Sequence, residues 1–204
     1  MLKASFRDRT RGVDVRIGIL FSKLRIPPNV WTVLSLAPAL GGFMALYNGS
    51  LAWGLLLFFF SAFMDIIDGT VARVTDSVSN LGAFLDGVVD RYVEFTLYLG
   101  LYFYLRSTPE VLLSHHLLFL FLLFGALMPS FITAYADHRH VIADPEKLRN
   151  IGGLMERFER LGVIYAGMLF GLADPVYLTY AVILVAVLSH LTALQRIFYV
   201  IREG

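Results

Sequence analysis

The chain has 204 residues and no cysteine; 57% of its residues are hydrophobic, 14% are aromatic, and the mean hydropathy is +0.69. This apolar share is far above that of soluble domains and predicts an all-α, polytopic membrane protein. The lack of cysteine excludes disulfides and thiolate metal sites. A formal net charge of +1 provides no general attraction for nucleic acid, so no nucleic-acid partner is expected.

The N-terminal segment, residues 1–28, carries seven Lys and Arg side chains and lacks the apolar core of a signal peptide. Apolar side chains recur in it at helical spacing, at Val13, Ile17, Leu20, Phe21 and Leu24. This stripe predicts a short amphipathic helix, either in the cytosolic interface of the membrane or packed on the cytosolic face of the protein. We interpret residues 1–28 as a cytosolic juxtamembrane segment and residues 29–204 as one six-helix membrane domain.

Six apolar stretches of about 20 residues, the length that crosses a bilayer core, lie at 30–49, 51–74, 82–105, 116–137, 155–173 and 175–199. Lys and Arg concentrate in the N-terminal segment, in the connection between the fourth and fifth stretches, and at the C-terminus, and Arg73 flanks the turn between the second and third. The other connections contain only Arg106. By the positive-inside rule, this distribution predicts a multi-pass cell-membrane protein with both termini and that turn in the cytosol.

Four aspartates occupy the second and third stretches, within DIIDGTVARVTDSVSNLGAFLDGVVD. Helical spacing places Asp65 and Asp68 on one face, and Asp86 and Asp90 on one face of the next helix. A short turn makes the two helices antiparallel, so the pairs should face each other. Carboxylates at this depth need a wet cavity or a partner, and Mg²⁺, Mn²⁺ or Ca²⁺ suits an all-oxygen site. Solvated helix ends are the plainer alternative, which fits Asp76 in the turn better than Asp90.

The same stretch satisfies the pattern D-x2-D-G-x2-A-R-x8-G-x3-D-x3-D at every fixed position. The sequence therefore resembles the CDP-alcohol phosphotransferases (CDP-alcohol phosphatidyltransferases), and the six stretches extend the resemblance over nearly the whole chain. The resemblance implies a transferase of phospholipid biosynthesis. It would move a phospho-alkyl group from a CDP-alcohol, expected to be lipid-linked, to a hydroxyl acceptor and release CMP. It also implies a homodimer in contact with membrane lipid.

The resemblance further implies a role for each residue of the signature. Asp65, Asp68 and Asp86 are expected to hold two Mg²⁺ or Mn²⁺ ions on the CDP pyrophosphate. Asp90 is expected to be the general base for the acceptor hydroxyl, with a further contact to the metal. The expected contacts with the CDP-alcohol are Gly69, Ala72, Arg73, Ser79, Gly82, Asn29 and Thr32. For Asn29 and Thr32, ordinary capping of a helix start stays open.

The segment GLMERFERLGV resembles the E-R-x-E-R segment of the family branch that uses inositol phosphate. This implies that Arg157 and Arg160, helped by Arg139 in the preceding loop, bind the phosphate of a polyol-phosphate acceptor. Basic residues that flank a membrane span and pair with Glu156 and Glu159 are the alternative interpretation.

The segment SFITAYAD departs from that branch, because Thr133 and Tyr135 stand where basic residues are expected. Two phosphate contacts are thus missing, which leaves di-myo-inositol-phosphate-phosphate synthase and phosphatidylglycerophosphate synthase open as alternatives. A cation transporter lined by carboxylates is an alternative of another class, but transporters usually place such groups near the bilayer midplane. A scaffold without chemistry would leave the aspartates unexplained.

Overall fold

The computed structural model describes residues 14–149 and 151–204. The predicted segment 1–13, including Val13 of the amphipathic stripe, lies outside the described residues. No strand occurs in the described ranges, which agrees with the predicted all-α class. The helices are α1 (14–22), α2 (Pro28–Leu34), α3 (Leu36–Tyr47), α4 (Leu51–Val74), α5 (Asn80–Leu105), α6 (His115–His138), α7 (Pro145–Arg149), α8 (Arg157–Gly171) and α9 (Pro175–Glu203).

Among the described residues, four helical stretches are long and apolar enough to cross a membrane: α2 together with α3, then α4, α6 and α9. Helix α5 has 26 residues, but it carries Asp90, Arg91 and Glu94 near its middle. Helix α8 has 15 residues, about 22 Å at 1.5 Å per residue, against a hydrocarbon core of about 30 Å. The chain is therefore a helical membrane protein, with four such stretches in residues 14–149 and 151–204, and the crossings predicted for α5 and α8 stay predictions.

The first predicted span is interrupted at Ser35, between α2 and α3. Pro38 has no N–H to donate to the carbonyl of Leu34, so the regular hydrogen-bond ladder is broken at this point. The next carbonyl, that of Ser35, accepts a long hydrogen bond of 3.4 Å from the backbone N–H of Ala39 and one of 2.8 Å from the hydroxyl of Ser61 on α4. This bond ties the junction of α2 and α3 to the helix that carries the first aspartate pair.

Helix α3 packs on both α4 and α5, while α9 packs on α6 and α8. The side chain of Leu46 enters the contact between α3, α4 and α5 because two glycines face it. A Cβ on Gly54 would lie 2.5 Å from Leu46, and a Cβ on Gly100 would lie 2.8 Å from it. Small residues permit such close helix approach in membrane proteins, and here they fix the relative positions of the two aspartate-bearing helices.

Helix α1 lies against the body of the protein with part of its apolar stripe. Ile17 and Phe21 pack on the cluster around Trp31, whereas Leu20 and Leu24 are exposed. The predicted packing on the protein's own face is thus observed for half of the stripe. Contact of Leu20 and Leu24 with the membrane stays a prediction.

Candidate active site

The four aspartates converge as the helical spacing predicts. Asp65 and Asp68 come from α4, and Asp86 and Asp90 come from α5. One carboxylate oxygen from each of Asp65, Asp68 and Asp86 lies within 4.8 Å of the other two. Asp68 and Asp90 are only 6% and 8% exposed, so these are inward-facing groups and not solvated helix ends.

This carboxylate cluster fits a hard divalent cation. The Oδ2 atom of Asp68 is buried and has no hydrogen-bond partner among the described residues. A buried polar oxygen without a partner is unfavourable, and all-carboxylate donors suit Mg²⁺ or Mn²⁺. The geometry thus favours Asp65, Asp68 and Asp86 as metal ligands, as predicted.

A cavity of about 310 Å³ opens beside the carboxylate cluster, between α2, α4 and the start of α5. Asp68 and Asp86 form part of its wall. All seven residues expected to contact the CDP-alcohol also line it: Asn29, Thr32, Gly69, Ala72, Arg73, Ser79 and Gly82. The structure therefore brings the predicted nucleotide contacts together in one cavity, next to the predicted metal ligands.

Local sequence explains the shape of this cavity. Ser79 caps α5 by accepting a hydrogen bond of 3.0 Å from the backbone N–H of Gly82. A Cβ on Gly82 would lie 3.1 Å from Oδ1 of Asn29, so glycine keeps this wall open.

The alternative of ordinary capping for Asn29 and Thr32 is not what the structure contains. Helix α2 has no side-chain cap hydrogen bond, and Pro27 precedes it as the N-cap residue. The hydroxyl of Thr32 instead donates to the carbonyl of Pro28, at 3.2 Å. Neither side chain caps α2, and both line the cavity.

Arg157, the first residue of α8, faces the aspartates. Its Nη2 atom lies 2.5 Å from Oδ1 of Asp90, and its Nη1 atom lies 3.8 Å from Oδ2 of Asp65. The Arg157 side chain is 26% exposed. The structure therefore places this predicted phosphate-binding residue directly beside the predicted base.

Arg160 is held in a different way, by a buried polar network. Its Nε and Nη2 atoms donate to the two carboxylate oxygens of Glu94, at 2.9 and 3.2 Å. Glu94 also accepts from Tyr98 and from Arg91, each at 2.8 Å. Since the guanidinium of Arg160 is occupied and only 2% exposed, the phosphate contact predicted for it stays a prediction. So does that of Arg139, which lies at the exposed C-terminal cap of α6.

Arg196 on α9 is a residue that the sequence did not single out. Its Nη1 atom donates to the hydroxyl of Thr133 at 2.8 Å and to the carbonyl of Pro129 at 2.7 Å, both on α6. One turn earlier, Thr192 accepts a hydrogen bond of 2.9 Å from the backbone N–H of Met155, two residues before Arg157. A basic group thus stands at the position where Thr133 replaces an expected basic residue, next to the segment that leads into α8.

Buried carboxylates beside a cavity, embedded in a helical membrane protein, define the class of a membrane phosphotransferase. The chain belongs to the CDP-alcohol phosphatidyltransferase family, whose profile matches residues 25–192.

Its relatives include two kinds of phospholipid synthase. The archaetidylinositol phosphate synthase of Pyrococcus horikoshii is 30% identical over 196 residues, which cover 96% of this chain and 94% of the relative. The phosphatidylinositol phosphate synthase of Mycobacterium tuberculosis is 29% identical over 210 residues, covering 97% and 90%.

Two crystal structures of that mycobacterial synthase share the fold, at 25% sequence identity. The structure with CDP-DAG bound superimposes with a TM-score of 0.78 over 92% of this chain and 93% of the other. The complex with manganese and citrate superimposes with a TM-score of 0.80, over 94% and 90%.

Proposed function

We propose that this enzyme transfers a phosphatidyl or archaetidyl group from a lipid-linked CDP-alcohol to a hydroxyl of inositol phosphate and releases CMP. The proposal rests on one observation: the residues that line the predicted nucleotide cavity and the predicted phosphate-binding arginine both contact the aspartate cluster, from different sides. The cavity with the predicted nucleotide contacts reaches Asp68 and Asp86, and Arg157 contacts Asp65 and Asp90. Relatives named as inositol phosphate lipid synthases support the choice of acceptor.

In this proposal, each aspartate has a defined part in the transfer. Asp65, Asp68 and Asp86 hold two Mg²⁺ or Mn²⁺ ions, whose charge when bound offsets that of the CDP pyrophosphate. Asp90 accepts the proton of the acceptor hydroxyl. The hydroxyl oxygen forms a bond to the phosphorus that carries the alcohol, and the bond from that phosphorus to CMP breaks.

The acceptor phosphate is assigned to the basic residues on the α8 side of the carboxylates. Arg157 lies closest to Asp90, and Arg196 supplies a guanidinium near Thr133. Arginine can bind a phosphate through two parallel hydrogen bonds. Arg139 and Arg160 are further candidates for this phosphate, as the sequence predicts.

We also propose that residues 29–204 form one domain with six membrane crossings, that residues 1–28 lie in the cytosolic interface, and that two copies associate. Both termini and the active site would face the cytosol. The Lys and Arg distribution supports this orientation. The start of α8 follows a connection that contains Arg139, Lys147 and Arg149, and the turn before α5 is flanked by Arg73.

The direct test is a panel of lipid-linked CDP-alcohols against soluble acceptors, with purified protein in Mg²⁺ or Mn²⁺ and products identified by mass. We expect CMP release coupled to a phosphoinositol lipid when inositol phosphate is the acceptor. Equal or better turnover with glycerol phosphate would replace the acceptor assignment. Cation flux into vesicles without CMP release would replace the transferase by a transporter.

A further inference from the structure

Two ion pairs bridge α5 and α8, one helical turn apart on each helix. Asp90 pairs with Arg157 and Glu94 pairs with Arg160. The Glu94–Arg160 pair is buried and multidentate. By contrast, the Arg157 side chain is 26% exposed, and its Nε atom has no hydrogen-bond partner within the described ranges. The Glu94–Arg160 pair is thus fully hydrogen-bonded and buried. The Asp90–Arg157 pair is partly exposed and leaves one guanidinium donor unused.

The Asp90–Arg157 pair involves the carboxylate that is proposed to act as the general base. With Nη2 of Arg157 at 2.5 Å from Oδ1 of Asp90, a guanidinium lies where an attacking hydroxyl would need to approach. In this arrangement the guanidinium of Arg157 blocks the approach of a hydroxyl group to Oδ1 of Asp90.

A phosphate can compete for this guanidinium. A phosphate offers several charged oxygens to a forked donor, whereas Arg157 has one short contact, to Asp90, and a longer one of 3.8 Å, to Asp65. Arg157 is the first residue of α8, so no preceding helical turn restricts its side-chain rotamers. Only the side chain of Arg157 has to move. The backbone on either side of it is held by the bond from Met155 to Thr192 on α9 and by the bond from Arg160 to Glu94.

We propose that Arg157 covers Asp90 until the phosphate of the acceptor draws the guanidinium away, so that Arg157 selects phosphorylated acceptors over water. This inference rests on the proposed function. Without the cover, a water molecule would replace the acceptor: its oxygen bonds to the same phosphorus, its proton passes to Asp90, and the bond to CMP breaks. The product would be the phosphorylated alcohol, and the donor would be wasted.

The test measures CMP release from a CDP-alcohol in Mn²⁺ with no acceptor present. We expect this hydrolysis to rise several-fold in Arg157→Gln, which keeps the approximate length of the side chain but cannot form the ion pair. Arg157→Lys retains the charge and should lie between Arg157→Gln and the native protein. Arg202→Gln, which removes an exposed arginine at the C-terminus, should hydrolyse the donor at the native rate.

Sulfate provides a second probe, because it resembles the phosphate of the acceptor but carries no alcohol hydroxyl that could receive the phospho-alkyl group. Sulfate should increase hydrolysis by the native protein relative to chloride at equal ionic strength. Arg157→Gln should not respond. This comparison uses the native chain, so it remains informative even if Arg157→Gln does not fold.

The outcomes separate this inference from the proposed acceptor. If donor binding is retained and neither Arg157→Gln nor sulfate increases hydrolysis, Arg157 does not cover Asp90, whatever the acceptor is. If hydrolysis rises in both experiments but inositol phosphate is not a substrate, the covering role stands and the acceptor assignment fails.

Discussion

Arg196 on α9 donates a hydrogen bond of 2.8 Å to the hydroxyl of Thr133 on α6. In the family branch that this sequence resembles, a basic residue is expected at the Thr133 position itself. The structure thus supplies the positive charge from a neighbouring helix, while the small Thr133 side chain leaves room for it. One of the two positions that lack an expected basic residue, Thr133, thus has a guanidinium beside it, whereas Tyr135 has none in the contacts described.

Arg196→Gln should raise the KM for inositol phosphate far more than the KM for the CDP-alcohol. A hydrogen bond to a charged group contributes about 1.5–3 kcal/mol, which corresponds to a rise of about tenfold to a hundredfold. Steady-state kinetics with each substrate varied in turn measures this. Arg202→Gln, six residues further along α9, is the matched control. An equal rise in both KM values would assign Arg196 to packing alone.

Asn in place of Asp68 should weaken Mn²⁺ binding and reduce turnover by orders of magnitude, because a charged oxygen ligand is lost from a cluster of three. Electron paramagnetic resonance of Mn²⁺ in the apo protein measures binding without any reaction. Asp76→Asn is the control: Asp76 has φ 52°, a conformation that Asn adopts readily. Native Mn²⁺ affinity in Asp68→Asn would remove Asp68 from the metal site.

The sequence predicted the aspartate cluster and its cavity because both depend on local spacing. Asp65 and Asp68 share a helical face, and the short turn to α5 leaves few ways to arrange the opposite pair. Arg196 is different, because 63 residues separate it from Thr133. Nothing in the local pattern indicates which arginine reaches across from another helix. The pairing of Arg160 with Glu94, 66 residues apart, was unpredictable for the same reason.

Glu94→Gln should destabilise the protein more than Arg160→Met. In Arg160→Met, Glu94 keeps its bonds to Arg91 and Tyr98. In Glu94→Gln, Arg160 stays charged and buried without an anionic partner, and keeps the amide oxygen of the new side chain and the carbonyl of Met155, at 3.4 Å, as acceptors. Breaking a buried ion pair from one side costs about 3–5 kcal/mol. Thermal unfolding midpoints in detergent compare the two variants, and the reverse order would refute this account.

Cysteine labelling can test the orientation directly, because the native chain contains no cysteine. A cysteine in place of Ser77, in the turn between α4 and α5, should react with a membrane-impermeant reagent only from the cytosolic side. A cysteine in place of Ser107, beyond the end of α5, should react only from the opposite side. Reaction of both from the same side would mean that α5 does not cross the membrane.

Asp90→Asn should retain donor and metal binding but lose almost all turnover. Within the described part of the chain, Asp90 forms an ion pair with Arg157, so its carboxylate becomes available once that arginine moves. Glu94, one turn further, is 4% exposed and accepts hydrogen bonds from three residues, Arg91, Tyr98 and Arg160, so its oxygens are already occupied and an acceptor hydroxyl cannot reach them. General-base catalysis contributes about 10²–10⁴-fold, and kcat should fall by that order.

CDP-alcohol affinity in Mn²⁺, measured beside kcat, distinguishes a role of Asp90 as the base from a role as a metal ligand. Loss of donor affinity would make Asp90 chiefly a metal ligand, and near-native turnover would exclude it as the base.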